Sequence, residues 1–123
     1  MTTLYGIKNC DTIRKARRWL KENGVEYTFH DVREDGISAA MLGTWAKSLD
    51  WELLLNRRGT TWRQLPASVR ENIDRKTALN IMREQPAIIK RPVLDYNKQL
   101  HLGFSDDRYA AIFHPDAAFT KFA

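Results

Sequence analysis

The opening of the sequence, up to residue 32, restricts the fold more than any other part, because two strand patterns flank a helix pattern. Residues 3–7 are a short apolar run that ends in polar Lys8 and Asn9, as a buried strand does where it leaves a sheet. Apolar positions at helical spacing follow, up to the stop signal Asn23-Gly24. Residues 26–32 alternate polar and apolar side chains, which predicts a second strand. This order favours a parallel pair of strands with a right-handed crossover.

The rest of the chain predicts a group of helices and then a hairpin. Ser38 and Asp74 are expected N-caps, and Ser105 is expected to cap a last helix that ends near residue 113. The other helices are expected over residues 38–48, 51–55 and 65–83, and the hairpin strands near 93–94 and 99–102. The sequence therefore predicts an α/β fold in one domain over residues 1–123. It consists of a βαβ unit, a helical insert over about 38–85 and a ββα unit.

Composition narrows the class of protein. The chain has 123 residues, 43% of them hydrophobic, which is enough for one ordinary core. The net charge of +5 favours an anionic partner, but no nucleic-acid-binding motif is present, so we expect no nucleic acid. No apolar run approaches the roughly 18 residues of a membrane span, and no leader pattern opens the chain, so we expect a cytoplasmic protein without membrane contact. One cysteine and scattered histidines predict neither an internal disulfide nor a metal site.

Cys10, the only cysteine, lies between the first strand and the first helix. A cysteine in this place faces unpaired backbone N–H groups and the positive end of the helix dipole, which both favour the thiolate. Lys8 and Arg14 add positive charge, whereas the Asp11 carboxylate opposes it unless Asp11 or Thr12 caps the helix. The same N–H groups can hold an oxyanion, so this loop is also a candidate substrate site. The alternative is an ordinary buried thiol, the commonest state of a lone cysteine.

Arginine and tryptophan residues elsewhere give weaker signals. Arg91-Pro92 follows an apolar run, and a cis peptide bond is compatible with that place, although the local sequence favours an ordinary turn. Arginines in the central Gly-Thr-Thr loop are typical of a solvated surface, and the tryptophans are more typical of core or loop anchors than of ligand platforms. These residues are Arg57, Arg58, Arg63, Trp51 and Trp62.

Three segments in order, spread over nearly the whole chain, carry a resemblance to a known family. They are residues 5–16 (YGIKNCDTIRKA), 55–63 (LNRRGTTWR) and 88–93 (IIKRPV). The chain resembles the arsenate reductase (ArsC) family, most closely its YffB-like branch, with the Spx transcription regulators as a sister group. This resemblance implies a thioredoxin-like fold with a helical insertion and a mixed four-stranded sheet. It also implies a nucleophilic cysteine that is regenerated through glutathione or glutaredoxin.

The resemblance also assigns roles to individual residues. It makes Cys10 the nucleophile, places Arg91 opposite it as an anion ligand, and has Pro92 shape that face through a cis bond. The other residues expected to bind the substrate or its anionic group are Lys8, Asp11, Thr12, Arg14 and Arg58. In the central segment, the resemblance does not distinguish Arg58 from Arg57. Direct counting back from Trp62 puts Asn56, and neither arginine, at the position of the family's anion-binding arginine.

Two departures from the family pattern bear on activity. Arsenate reductases use an arginine near residues 103–105, where this chain has none, so a small dianion would lose a charge-assisted contact. Ile13 replaces the second cysteine of the Cys-x-x-Cys switch found in the Spx relatives. We therefore expect a monomeric, glutathione-dependent thiol reductase with glutathione as co-substrate and no tightly bound cofactor. The alternatives are arsenate reduction coupled to glutathione and glutaredoxin, and a non-catalytic, Spx-like role in binding a partner.

Overall fold

The computed structural model describes residues 1–115, in which a four-stranded sheet is covered by helices. The strands are β1 (Thr2–Gly6), β2 (Thr28–Asp31), β3 (Val93–Tyr96) and β4 (Gln99–Leu102). Their spatial order is β2-β1-β3-β4. β1 and β2 are parallel, whereas β3 runs antiparallel to both β1 and β4. The expected mixed four-stranded sheet is confirmed.

Helix α1 (Asp11–Glu22) connects the two parallel strands, and a run of helices separates β2 from β3. These helices are α2 (Ala39–Leu49), α3 (Trp51–Leu54), α4 (Thr60–Arg63), α5 (Ala67–Glu71) and α6 (Arg75–Glu84). A short 3₁₀ helix (Pro86–Ile88) leads into β3, and α7 (Asp106–Phe113) follows β4. Helices α2 to α6 lie within residues 39–84. Within residues 1–115, no helix combines the length and the apolar character that crossing a membrane requires.

Side-chain capping fixes where several helices begin. Ser38, Asp74 and Ser105 each accept a hydrogen bond of 2.8 to 3.1 Å from a backbone N–H in the first turn of α2, α6 and α7, as predicted. The prediction for α1 was wrong, because neither Asp11 nor Thr12 is its N-cap. Cys10 occupies that position, and Asp11 is already the first helical residue. The cysteine therefore lies one residue closer to the free N–H groups at the start of α1 than the sequence suggested.

The sheet separates two apolar clusters, because successive strand residues point to opposite faces. One face packs against the helical insert through residues that include Leu42, Trp45, Leu54, Met82 and Val93. The other face carries α1 and α7, and its buried residues are Leu4, Ala16, Leu20, Leu94 and Tyr109. Trp19 of α1 meets Tyr109 of α7 edge to face, with ring centroids 5.6 Å apart. Helices α1 and α7 thus share one face of the sheet.

Candidate functional site

One edge of the sheet brings together four segments that are distant in sequence. β1 and β2 end at this edge, β3 begins there because it is antiparallel to β1, and β4 ends there because it is antiparallel to β3. Backbone hydrogen bonds join the segments, from Val32 N–H to Gly6 O at 2.9 Å and from Gly103 N–H to Pro92 O at 2.9 Å. The residues that follow β1, precede β3 and follow β4 are therefore neighbours.

Cys10 follows β1 at this edge and begins α1. Its backbone is extended, with φ of −119° and ψ of 129°, and its side chain is half-buried. The thiol makes no capping hydrogen bond of normal geometry. Burial raises the pKa of the Cys10 thiol. The Ile13 N–H, the Arg91 guanidinium and the Thr12 N–H lower it, and together they outweigh the effect of burial. The resulting pKa lies below that of an ordinary cysteine, which favours a reactive thiolate over the inert buried thiol.

Arg91 precedes β3, and its guanidinium lies close enough to the Cys10 sulfur to lower the pKa of the thiol. Its Nη1 donates to the carbonyl of Ala87 at 2.8 Å and to that of Ile89 at 3.4 Å, so backbone groups of the preceding segment hold the guanidinium. Its Nε is buried and has no hydrogen-bond partner within residues 1–115. The Arg91–Pro92 peptide bond is cis, as expected from the resemblance. A fixed guanidinium with an unsatisfied donor beside a thiolate can bind an anionic group at the sulfur.

Asp31, at the end of β2, holds the loop that carries the cysteine, and the sequence reasoning missed it. Its side chain is only 2% exposed. Oδ2 accepts from the Lys8 N–H at 3.1 Å, and Oδ1 accepts from the N–H groups of Arg33 and Glu34 at 2.8 and 2.9 Å. Burial raises the pKa of Asp31, but these three N–H groups lower it more, with the Glu34 N–H strongest, so the carboxyl stays ionised. The only sequence signal was a lone aspartate where the second strand meets its turn.

Lys8 and Arg14 are less available to stabilise the Cys10 thiolate than the sequence suggested. Lys8 Nζ binds Glu34 at 2.8 Å, and Arg14 Nη1 forms an ion pair with Asp11 within the first turn of α1. All four side chains are more than half exposed. Neither cation is among the main causes of the lowered pKa of Cys10. The expectation that they stabilise the thiolate is therefore corrected: Arg91 and the helix N–H groups do so.

The central loop lies beside the segment that carries Arg91. Asn56 N–H donates to Ile88 O at 2.8 Å, and Lys90 N–H donates to Leu54 O at 2.7 Å. Arg57 lies over the Trp62 ring, with its guanidinium carbon 5.5 Å from the ring centroid. Arg58 is exposed, and its backbone binds within the loop to the side chains of Asn56 and Arg63. Of the two arginines, Arg58 has the side chain that is not stacked on a ring.

Comparison with known proteins settles the family. The model of the ArsC family matches residues 5–112. The chain belongs to the ArsC family. Two solved structures in this group are close to it, and both confirm the thioredoxin-like fold with its insertion. The YFFB protein is 44% identical with a TM-score of 0.86, over 90% of this chain and 97% of that one.

The second ArsC-family structure is described as an arsenate reductase (ArsC) related protein from Brucella melitensis. It is 49% identical with a TM-score of 0.76, and the alignment covers 92% of this chain and 94% of that chain. A more distant relative is the global transcriptional regulator Spx 1 of Bacillus cereus, 25% identical over 87% of this chain and 82% of the regulator. The proteins similar to this chain therefore include one described as related to arsenate reductase and one described as a transcriptional regulator.

Proposed function

We propose that this ArsC-family protein is a glutathione-dependent thiol reductase with Cys10 as its nucleophile. The observation that carries the proposal is the position of Cys10 at the N-terminus of α1 beside Arg91, where the thiol pKa is lowered. At neutral pH a thiol of this kind is more fully ionised than a free cysteine, and the thiolate is the form that attacks disulfides. We place the reaction in the cytoplasm and expect the protein to act as a monomer.

The reaction needs one protein sulfur and two glutathione molecules. A first glutathione thiolate attacks the substrate disulfide, which releases one substrate thiolate and leaves a substrate–glutathione mixed disulfide. The Cys10 thiolate attacks the glutathione sulfur of that mixed disulfide, forms a Cys10–glutathione disulfide and releases the second substrate thiolate. A second glutathione thiolate then attacks the glutathione sulfur of that adduct, which yields glutathione disulfide and returns the Cys10 thiolate. Two electrons pass from two glutathione thiols to the substrate disulfide. A glutaredoxin can take the place of the second glutathione.

The charges around Cys10 suit a tripeptide with two carboxylates. Arg91 lies at the sulfur, Arg14 lies one turn into α1, and Arg57 and Arg58 extend from the loop bound beside Arg91. Arg14 must exchange its partner Asp11 for a ligand carboxylate, which an exposed ion pair allows at little cost. Lys8, Asp11 and Thr12 complete the proposed rim of the site.

Arsenate reduction is the second candidate because a close structural relative is named for it. The sequence has no arginine at residues 103–105, so arsenate would have no charge-assisted contact from this segment. Such a loss of about 1.5–3 kcal/mol weakens binding by roughly 10- to 150-fold. We therefore expect arsenate turnover to be slow compared with disulfide reduction.

A regulatory role is the third candidate, because the Spx relatives are named as transcription regulators. A protein that only binds a partner has no need of a lowered cysteine pKa, whereas a thiol enzyme does. Titration of Cys10 therefore separates the two roles.

The direct test is steady-state turnover. The wild-type protein is assayed with glutathione and bis(2-hydroxyethyl) disulfide, coupled to glutathione reductase, and in parallel with arsenate, glutathione and glutaredoxin. We expect disulfide reduction that is lost in Cys10→Ser and retained in Arg75→Gln, which removes an exposed charge at the start of α6. Equal turnover by Cys10→Ser would refute the proposal, and arsenate turnover faster than disulfide reduction would favour the second candidate.

A further inference from the structure

A guanidinium lies over the end of β4, at a place where the local sequence contains no arginine. Arg108, on the first turn of α7, donates from Nη1 to the carbonyl of Leu102 at 2.6 Å. A methyl group built on Gly103 would lie only 3.1 Å from the same Nη1, and Gly103 has a positive φ of 84°. Glycine therefore provides both the backbone conformation and the space that the Arg108 side chain occupies.

The sheet topology places this guanidinium at the edge that carries Cys10. Gly103 N–H binds the carbonyl of Pro92, directly after Arg91. Helices α1 and α7 share one face of the sheet, so Cys10 and Arg108 lie on the same side. β3 separates β4 from β1, and neighbouring strands are about 4.8 Å apart, so the end of β4, where Arg108 binds the Leu102 carbonyl, is offset from the end of β1 by roughly 10 Å.

The charge of Arg108 is free to act on a ligand. Arg108 is exposed and makes no ion pair within residues 1–115. Arginine has five N–H donors, and Leu102 occupies one of its two terminal nitrogens. The Arg108 charge acts on a neighbouring side chain. The pKa of His101 is lowered mainly by burial and, to a smaller extent, by the positive charge of Arg108.

We propose that Arg108 is a specificity residue that binds a carboxylate of glutathione while Arg91 lies at the reacting sulfur. A small tetrahedral oxyanion or a short neutral disulfide at Cys10 does not reach from the end of β1 across β3 to the end of β4, whereas a tripeptide carries carboxylates several bonds away from its sulfur. The two arginines together therefore select a thiol by its length and charge. This assignment rests on the proposed function.

The test measures the rate at which Cys10 forms a mixed disulfide with three compounds. They are glutathione disulfide, the disulfide of glutathione diethyl ester, whose carboxylates are masked, and bis(2-hydroxyethyl) disulfide. Arg108→Gln is compared with wild type and with Arg75→Gln, which removes the same charge at the exposed start of α6. We expect Arg108→Gln to slow the reaction with glutathione disulfide by about three- to tenfold and to leave the other two reactions unchanged. Arg75→Gln should match wild type throughout.

The possible outcomes separate this inference from the proposed function. If Arg108→Gln slows all three reactions equally, or none, Arg108 does not bind a carboxylate and the inference is overturned. If wild type itself reacts with the neutral disulfide but not with glutathione disulfide, the proposed function fails and the inference fails with it. The comparison of glutathione disulfide with its diethyl ester form uses wild type alone, so it tests the inference even if Arg108→Gln does not fold. Equal reaction rates with the ester and the free acid would refute the inference.

Discussion

At the scale of single residues, the charge on the Cys10 sulfur depends on Arg91 and on two N–H groups of α1. Burial opposes ionisation, and these groups outweigh it. We predict that Arg91→Gln raises the pKa of Cys10, because it removes both a hydrogen bond and a positive charge from the thiolate. The pH dependence of alkylation by iodoacetamide measures this pKa directly.

A matched charge change tests whether the effect is local. Arg75→Gln should leave the alkylation midpoint where it is in wild type, because Arg75 is an exposed residue at the start of α6, the end of that helix away from the segment that carries Arg91. A similar shift in both variants would mean that net charge, and not the Arg91 guanidinium, controls the thiol.

Asp31 is the residue on which the shape of the cysteine loop depends, and we predict that Asp31→Asn destabilises the protein. The carboxylate accepts three backbone N–H bonds while almost fully buried, and the amide cannot accept all three. The expected loss at pH 7 is about 1–3 kcal/mol in the free energy of unfolding. Urea denaturation followed by tryptophan fluorescence measures this loss.

The pH dependence of the Asp31 contribution has a definite sign. The pKa of Asp31 is lower in the folded protein than in the unfolded chain, so its stabilisation is complete above the ordinary aspartate pKa of about 3.9 and is lost as pH falls below it. The difference in the free energy of unfolding between wild type and Asp31→Asn should therefore be smaller at pH 3 than at pH 7. Asp35→Asn is the control and should cost less, because the exposed Asp35 side chain accepts only one backbone N–H bond, which the amide oxygen can still accept. A difference in the free energy of unfolding that stays constant down to pH 3 would contradict this account.

At the scale of secondary-structure elements, Gly6 sets how closely α1 approaches β1. A methyl group on Gly6 would overlap Cδ1 of the buried Ile13 and would lie 2.8 Å from its Cγ1. We predict that Gly6→Ala costs about 1–3 kcal/mol of stability, because the tightly packed core must shift. Thermal or urea denaturation measures the loss.

The coupling between Gly6 and Ile13 gives the corresponding control. Ile13→Val removes Cδ1, so adding it to Gly6→Ala should restore part of the lost stability, although Ile13→Val alone costs about 0.5–1.5 kcal/mol. Losses that simply add in the double variant would show that the two side chains do not collide.

Most elements could be predicted because their signals are local. The caps at Ser38, Asp74 and Ser105 come from a short side chain that binds its own first turn, so position in the sequence is enough. The start of α1 was misassigned because cysteine is not a preferred cap, and Asp11 pairs with Arg14 instead. β2 was expected over residues 26–32 but is limited to Thr28–Asp31, and the four-residue helix α4 was not foreseen within the central loop.

At the scale of the whole molecule, the site exists because the order and direction of the strands bring four segments to one edge. The pairing of Cys10 with Arg91 could be expected only from the family resemblance, because no local pattern links a residue that follows β1 to one that precedes β3. Asp31 and Arg108 could not be assigned at all. Each acts through backbone groups of another segment, Asp31 through Lys8 and Arg108 through Leu102, and such contacts depend on the register of the sheet.

The most direct test of the central claim is the mass of the intact protein after exposure to glutathione disulfide at neutral pH. We predict that wild type gains the mass of one glutathionyl group on Cys10, that added glutathione removes it, and that Cys10→Ser gains nothing while remaining folded. Rapid, reversible modification is expected because the pKa of Cys10 is lowered at the start of α1 beside Arg91. If wild type stays unmodified under conditions in which free cysteine reacts, Cys10 is not a glutathione-dependent nucleophile and the proposed function is wrong.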